Sequence, residues 1–154
     1  MIEKVDLQAL IPHRGKMLLL SKIVDYNLDE GSLTAEYHIT KDCLFFNSAQ
    51  GGVPAWAAFE CIAQAYSAFS GIRDKTNAAL VSGGKQKVGY ILSISKMQIF
   101  FPVIKPGSTI VIKVKELENM DSVCNFEGKV FLEDTKILEG KITVMAANEG
   151  DISE

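Results

Sequence analysis

The chain has 154 residues, with 16 Lys and Arg against 19 Asp and Glu and a formal net charge of -3; it lacks the cationic surplus that gripping a nucleic-acid backbone requires. A hydrophobic content of 47% and a charged content of 23% are those of a soluble globular protein, long enough for one domain to bury roughly two thirds of its unfolded surface. Three cysteines without a CxxC spacing and two isolated histidines, His13 and His38, point to reduced thiols in a cytoplasmic setting, with neither a disulfide framework nor a metal site.

The first six residues carry acids and no apolar run, so no signal peptide is expected. Residues 7–12 read as a short helical turn stopped by Pro12, because the residue before a proline is pushed out of the helical region. After His13-Arg14-Gly15-Lys16 comes the apolar run 17–20, a short helix or a lead-in to a strand. Residues 22–27 and 32–39 have β-type composition around a turn at Asp29-Glu30-Gly31 and predict a hairpin. Residues 41–50 form a polar-aromatic loop that feeds the next element.

That element is a helix with almost no polar positions. Gly51 and Gly52 loosen its entry, Pro54 sits where a first turn tolerates a missing N–H, and Gly71 stands where a left-handed C′ residue is expected. Between them, small or apolar residues fill nearly every place, and Glu60 is the one normally charged side chain. A helix apolar all round is buried all round, and this one is too short and too rich in Ala and Ser to span a membrane. A carboxylate in such surroundings is neutralised, paired or placed at a cavity, and a paired structural Glu remains an alternative to a functional one.

Residues 73–87 are small and polar and predict a mobile loop over a short helical piece. Strands follow at 90–101, 108–118, 124–133 and 136–145, with turns at Pro106-Gly107 and Asp134-Thr135. In the second of them Thr109, Val111, Lys113 and Lys115 alternate with Ile110, Ile112 and Val114, the period of a strand with one wet face. Together these elements predict an α+β fold, a curved antiparallel sheet wrapped around one long central helix, in a single domain over 1–147 with an acidic tail at 148–154. Exposed sheet edges are best covered by a second subunit, so a dimer is expected.

Three segments, in order, resemble the hotdog-fold 3-hydroxyacyl-ACP dehydratases, the FabA/FabZ-like group. They are Ile11-Pro12-His13-Arg14 with its apolar run, Val53-Pro54 through Glu60-Cys61-Ile62-Ala63-Gln64-Ala65, and Ser95 through Gly107. The Pro54-Ala55-Trp56 helix start resembles a divergent subgroup, the dehydratases associated with aryl-polyene-type biosynthesis. The resemblance implies a lyase acting on acyl thioesters in fatty-acid or polyketide-type biosynthesis. Its site would lie in a narrow apolar tunnel between protomers, needing no cofactor or metal. The family's catalytic histidine, however, stands in the loop before the helix, and here Phe45-Phe46-Asn47-Ser48-Ala49-Gln50 contains none. His13 matches a histidine outside the family's catalytic pair.

Dehydration needs a base at C2, an acid at the C3 oxygen and stabilisation of the thioester oxygen, which helix N-terminal N–H groups supply. Glu60, its pKa raised by burial, is the expected acid or base, and Gln64, one turn on, the residue that orients it or a water. Phe46, Asn47, Ser48, Gly51, Gly52, Ala55 and Trp56 are expected around the substrate, with the glycines and Ala55 leaving room for a thioester. The partners expected are an acyl-carrier protein or CoA thioester, and a homodimer mate or a histidine-bearing hotdog subunit that completes a catalytically weak chain. Arg14, Lys16, Lys85, Lys87, Lys96 and Lys105 are candidates for docking an acidic carrier. The alternatives are a hotdog acyl thioesterase and a non-catalytic carrier-binding partner of another dehydratase.

Overall fold

The computed structural model describes residues 1–78, 87–120 and 122–148. A two-residue strand β1 (Ile2–Glu3) leads into α1 (Lys4–Leu7), followed by the hairpin of β2 (Lys22–Asn27) and β3 (Ser32–His38). A short strand β4 (Val53–Pro54) precedes a 3-10 turn over Ala55–Ala57, which opens directly into α2 (Ala58–Ala78). Then come β5 (Lys87–Ile99), β6 (Val103–Ile104), β7 (Thr109–Met120), β8 (Val123–Leu132) and β9 (Thr135–Asn148).

Among the described residues seven strands form one antiparallel sheet in the order β1-β2-β3-β7-β8-β9-β5, while β4 pairs with β6. Bulges interrupt the register in β2, β5, β7 and β9, and each bends its strand and adds twist. The sheet so bent packs α2 against β3, β7, β8 and β9. This is the hotdog arrangement: one helix as the filling of a sheet. The alternation expected of β7 is present, with Ile110, Ile112 and Val114 buried and Thr109, Lys113 and Lys115 exposed.

Two facing glycines seat the helix. Gly128 of β8 and Gly140 of β9 are register partners, and a Cβ on them would lie 2.3 Å from Ile62 Cγ2 and 2.7 Å from Phe59 Cε1. Bare backbone at those two points lets α2 approach the middle of the sheet more closely than any side chain permits.

The helix ends are corrected. Pro54 is the residue before the first turn, with ψ at 137°, and its strand pairing replaces helical geometry. At the far end α2 runs through Gly71 to Ala78, so residues 73–78 belong to the helix and not to a loop. Gly71 lacks a positive φ. Its hydrogen side faces the carbonyl of Leu10, where a Cβ would come within 2.5 Å of the oxygen. The glycine is there for a close crossing with the segment after α1. The rest of the loop expected over 73–87, Lys85 included, and most of the acidic tail lie outside the described residues, and β9 itself reaches Asn148.

The helix also has a half-wet stripe that its composition conceals. Glu60, Ala63, Ser67, Ser70 and Asp74 are partly exposed, and Trp56 in the turn before them is 54% exposed. Their spacing of three and four residues places them on one side. Cys61, Ile62, Ala65, Ala68 and Phe69 on the other sides are fully buried. Toward its C-terminal end α2 is tied to β7 through charge: Arg73 Nη1 donates to both Glu116 carboxylate oxygens at 2.9 Å, and the Tyr66 hydroxyl donates to Glu116 Oε2. Tyr66 also stacks on Phe126 with ring centroids 4.0 Å apart.

Candidate functional site

Glu60 lies on the half-wet stripe near the start of α2, its side chain 34% exposed. Its Oε1 takes two contacts, from His13 Nε2 and from Gln64 Nε2, each at 3.2 Å. Burial pushes the Glu60 carboxyl up, but the His13 and Gln64 hydrogen bonds and the charge interaction with His13 outweigh it and hold the group below its ordinary value. The expectation of a raised carboxyl is thereby corrected. Desolvation is present, as the apolar helix implies, and two donors to the charged form overcome it. Glu60 is therefore held in its ionised form at neutral pH.

Gln64 is wholly buried. Besides Glu60, its Nε2 donates to Met17 O at 2.7 Å, and its Oε1 accepts Leu19 N–H at 2.9 Å. It therefore orients Glu60, while both of its N–H donors are spent on Met17 O and Glu60 Oε1 and neither is left to hold a water. Gln64→Leu leaves the Leu19 N–H and the Met17 carbonyl without partners inside the protein, a loss of about 2–4 kcal/mol. The denaturant midpoint should fall with an unchanged slope; a midpoint equal to wild type would show that water replaces the amide.

The residues of the 45–52 loop do other work than expected. Asn47 Oδ1 accepts the N–H groups of Ala49 and Gln50, and Asn47 O accepts those of Gly51 and Gly52. Asn47 is thus the pin of a tight turn that Gly51 completes with φ at +74°, leaving Ser48 exposed at its tip. Gly52 offers no room for a ligand: a Cβ there would meet Ile104 O at 2.3 Å, because β6 lies against it. Ala55 is fully buried and its N–H donates to Pro102 O at 2.8 Å, which takes one of the helix N-terminal donors. Trp56 and Ala57 complete that 3-10 turn. Phe46 is half-buried against the core, and Phe45 packs edge-on against Trp56 at 5.4 Å. Arg14 spends Nη1 on the carbonyls of Ile11 and His13, both at 2.8 Å, whereas Lys16, Lys96 and Lys105 are exposed.

His13 is the site residue the sequence reading set aside. Proximity to Glu60 over 47 residues leaves no periodic signal, and the nearest hint was the Pro-His-Arg motif itself. Among the described residues no group of three or more His, Cys, Asp or Glu is placed to hold a metal ion, and no described helix is long and apolar enough to cross a membrane.

A largely buried helix with Glu60 on its open stripe, under a seven-stranded antiparallel sheet, defines a hotdog protein. The family model for ApeP-like proteins, described as ApeP dehydratase, matches residues 5–154, and the chain belongs to that family. It is similar to the 3-hydroxyacyl-[acyl-carrier-protein] dehydratase FabZ of Francisella tularensis subsp. novicida (strain U112), 26% identical over 132 residues, covering 82% of this chain and 80% of that protein. Among solved structures it is similar to the dehydratase heterocomplex ApeI:P from Xenorhabdus doucetiae, with a TM-score of 0.83 at 21% identity over 95% of this chain and 93% of that one. A thioesterase-like hotdog protein from Ralstonia eutropha JMP134, related to phenylacetic acid degradation, superposes less well, at a TM-score of 0.58 and 18% identity over 80% and 82% of the two chains.

Proposed function

We propose that this chain is a dehydratase-type subunit acting on 3-hydroxyacyl thioesters, with Glu60 as the carboxylate of its site. The observation that carries the reading is a carboxylate on the open stripe of an otherwise buried helix, three residues after the 3-10 turn that opens it. In the reaction a base takes the C2 proton, that electron pair becomes the C2–C3 double bond, and the C3–O bond breaks. An acid supplies the proton with which the oxygen leaves as water. Glu60 fits the first role and, once protonated, can serve the second.

A second subunit completes the site in this reading. The 45–52 loop holds no proton acceptor of histidine type. The edge strand β5 and the turn after it expose Ile94, Met97, Ile99, Phe100 and Phe101, each 41–49% accessible, which suits a covering chain. The similar Xenorhabdus protein is a heterocomplex, which favours a histidine-bearing hotdog partner over a second copy. The carrier form of the thioester is favoured over the CoA form because the FabZ relatives are 3-hydroxyacyl-[acyl-carrier-protein] dehydratases.

The test is turnover of one 3-hydroxyacyl-ACP by this chain alone, by a histidine-bearing homologue alone and by the mixture, with native mass measured on the same samples. A slow chain, and a mixture faster than the sum of its parts that runs as a 1:1 species, are the results expected. A mixture that neither associates nor accelerates would defeat the subunit reading.

A further inference from the structure

The loop that carries His13 is braced on both sides. Upstream, the Arg14 guanidinium clamps the carbonyls of Ile11 and His13 at 2.8 Å. Downstream, Gln64 holds Met17 O and Leu19 N–H, and Leu18, Leu19 and Leu20 are buried behind them. The imidazole so held meets Glu60 Oε1 at 3.2 Å through Nε2, and its other nitrogen, Nδ1, is buried without a partner. A carboxylate is an acceptor, so the ring proton facing it sits on Nε2, while a proton on Nδ1 would find no acceptor. Both donors to Glu60 converge on Oε1, and among the described residues nothing engages Oε2.

We infer that His13 is the positioning residue of Glu60: from within the same chain its Nε2–H fixes Oε1 and leaves Oε2 as the oxygen free to take a proton. This role differs from that of a loop histidine reaching over from another protomer, because His13 acts through Glu60 and not on the substrate. The inference deepens the dehydratase reading and rests on it only for the identity of the proton donor. The groups acting on Glu60 are few. His13 faces it from the loop and Gln64, uncharged, from its own helix. Its neighbour Cys61 is a buried thiol pushed up by burial and by the Glu60 charge, and so stays neutral.

The experiment follows the Glu60 carboxylate directly by carbon-13 NMR titration of glutamate-labelled protein, its resonance assigned by its loss in Glu60→Gln. His13→Ala removes a donor and leaves the desolvation, so the titration midpoint moves up. His13→Gln, whose amide nitrogen reaches a similar point, brings it back toward wild type. Thermal melts of both variants check that they fold. A midpoint unmoved in a folded His13→Ala overturns the inference, as does an upward shift in His13→Gln as large as that in His13→Ala.

Turnover of a 3-hydroxyacyl-ACP, in the mixture with the partner, is read in parallel. It should show the acidic limb of kcat moving up in His13→Ala, and a kcat about 10–100-fold lower with little change in KM. If the NMR midpoint behaves as expected while wild-type mixtures show no turnover, the positioning of Glu60 by His13 stands and the dehydratase reading fails.

Discussion

Glu60→Gln is expected to lower dehydration of a 3-hydroxyacyl-ACP by about 10²–10⁴-fold, the usual worth of one general acid–base group. The substitution keeps the shape of the side chain and its oxygen toward His13 and Gln64, so the fold and the loop carrying His13 should be undisturbed. What it removes is the proton acceptor. Because the carboxyl is held below its ordinary value, the wild-type acidic limb should lie low and the site should be fully ionised at neutral pH. The same ionisation gives a folding contribution that is present above the unfolded carboxylate pKa and lost as pH falls through the lower folded one. Ser48→His in the exposed turn tip provides the companion measurement. A rate gain there would show that the loop's shape, pinned by Asn47, still places a ring usefully. Robust turnover untouched by Glu60→Gln would put the chemistry elsewhere in the molecule.

The parts of this protein that were legible in the sequence are those written by local periodicity. Residues 109–115 alternate because one face of β7 is wet, and the body of α2 announces its burial through Ala, Ile, Phe and Cys at nearly every position. What was misread depends on partners distant in the chain. Gly71 resembles a helix terminator in sequence, since a glycine needed for a left-handed turn and one needed for a close crossing are the same letter. Only the Leu10 carbonyl against it separates the two. The pairing of β4 with β6 is two residues long, too short for any pattern to show, yet it fills the space beside Gly52 that was expected to hold substrate. Glu60 shows both sides of the matter. Its burial was legible from its own helix, whereas the direction of its pKa was set by His13, far away along the chain, together with Gln64.

Gly128→Ala is expected to cost about 1–3 kcal/mol of stability, the range for forcing an extra carbon into a packed core. For a chain of this length that is a fall of roughly 2–10 °C in Tm. The backbone at Gly128 does not have a positive φ, so alanine is conformationally acceptable there, and in an ordinary strand it would be mildly favourable. Space decides the sign. The new Cβ would lie 2.3 Å from Ile62 Cγ2 and 2.8 Å from Cδ1 and Cγ1. Ile62 is β-branched and fully buried, so its χ1 is stiff and it has nowhere to swing. Either α2 lifts from the sheet or β8 bends away, and both loosen the seat that also holds Glu60 two residues earlier.

A double-mutant cycle isolates this contact. Ile62→Ala alone opens a cavity and costs about 2–5 kcal/mol. In the double variant the methyl introduced by Gly128→Ala occupies part of that cavity, so the combined loss should fall short of the sum by about 0.5–3 kcal/mol. Denaturant midpoints of the four proteins measure it. Simple additivity would mean that the helix does not rest on Gly128, and that the close approach of α2 to the centre of the sheet is held by other contacts.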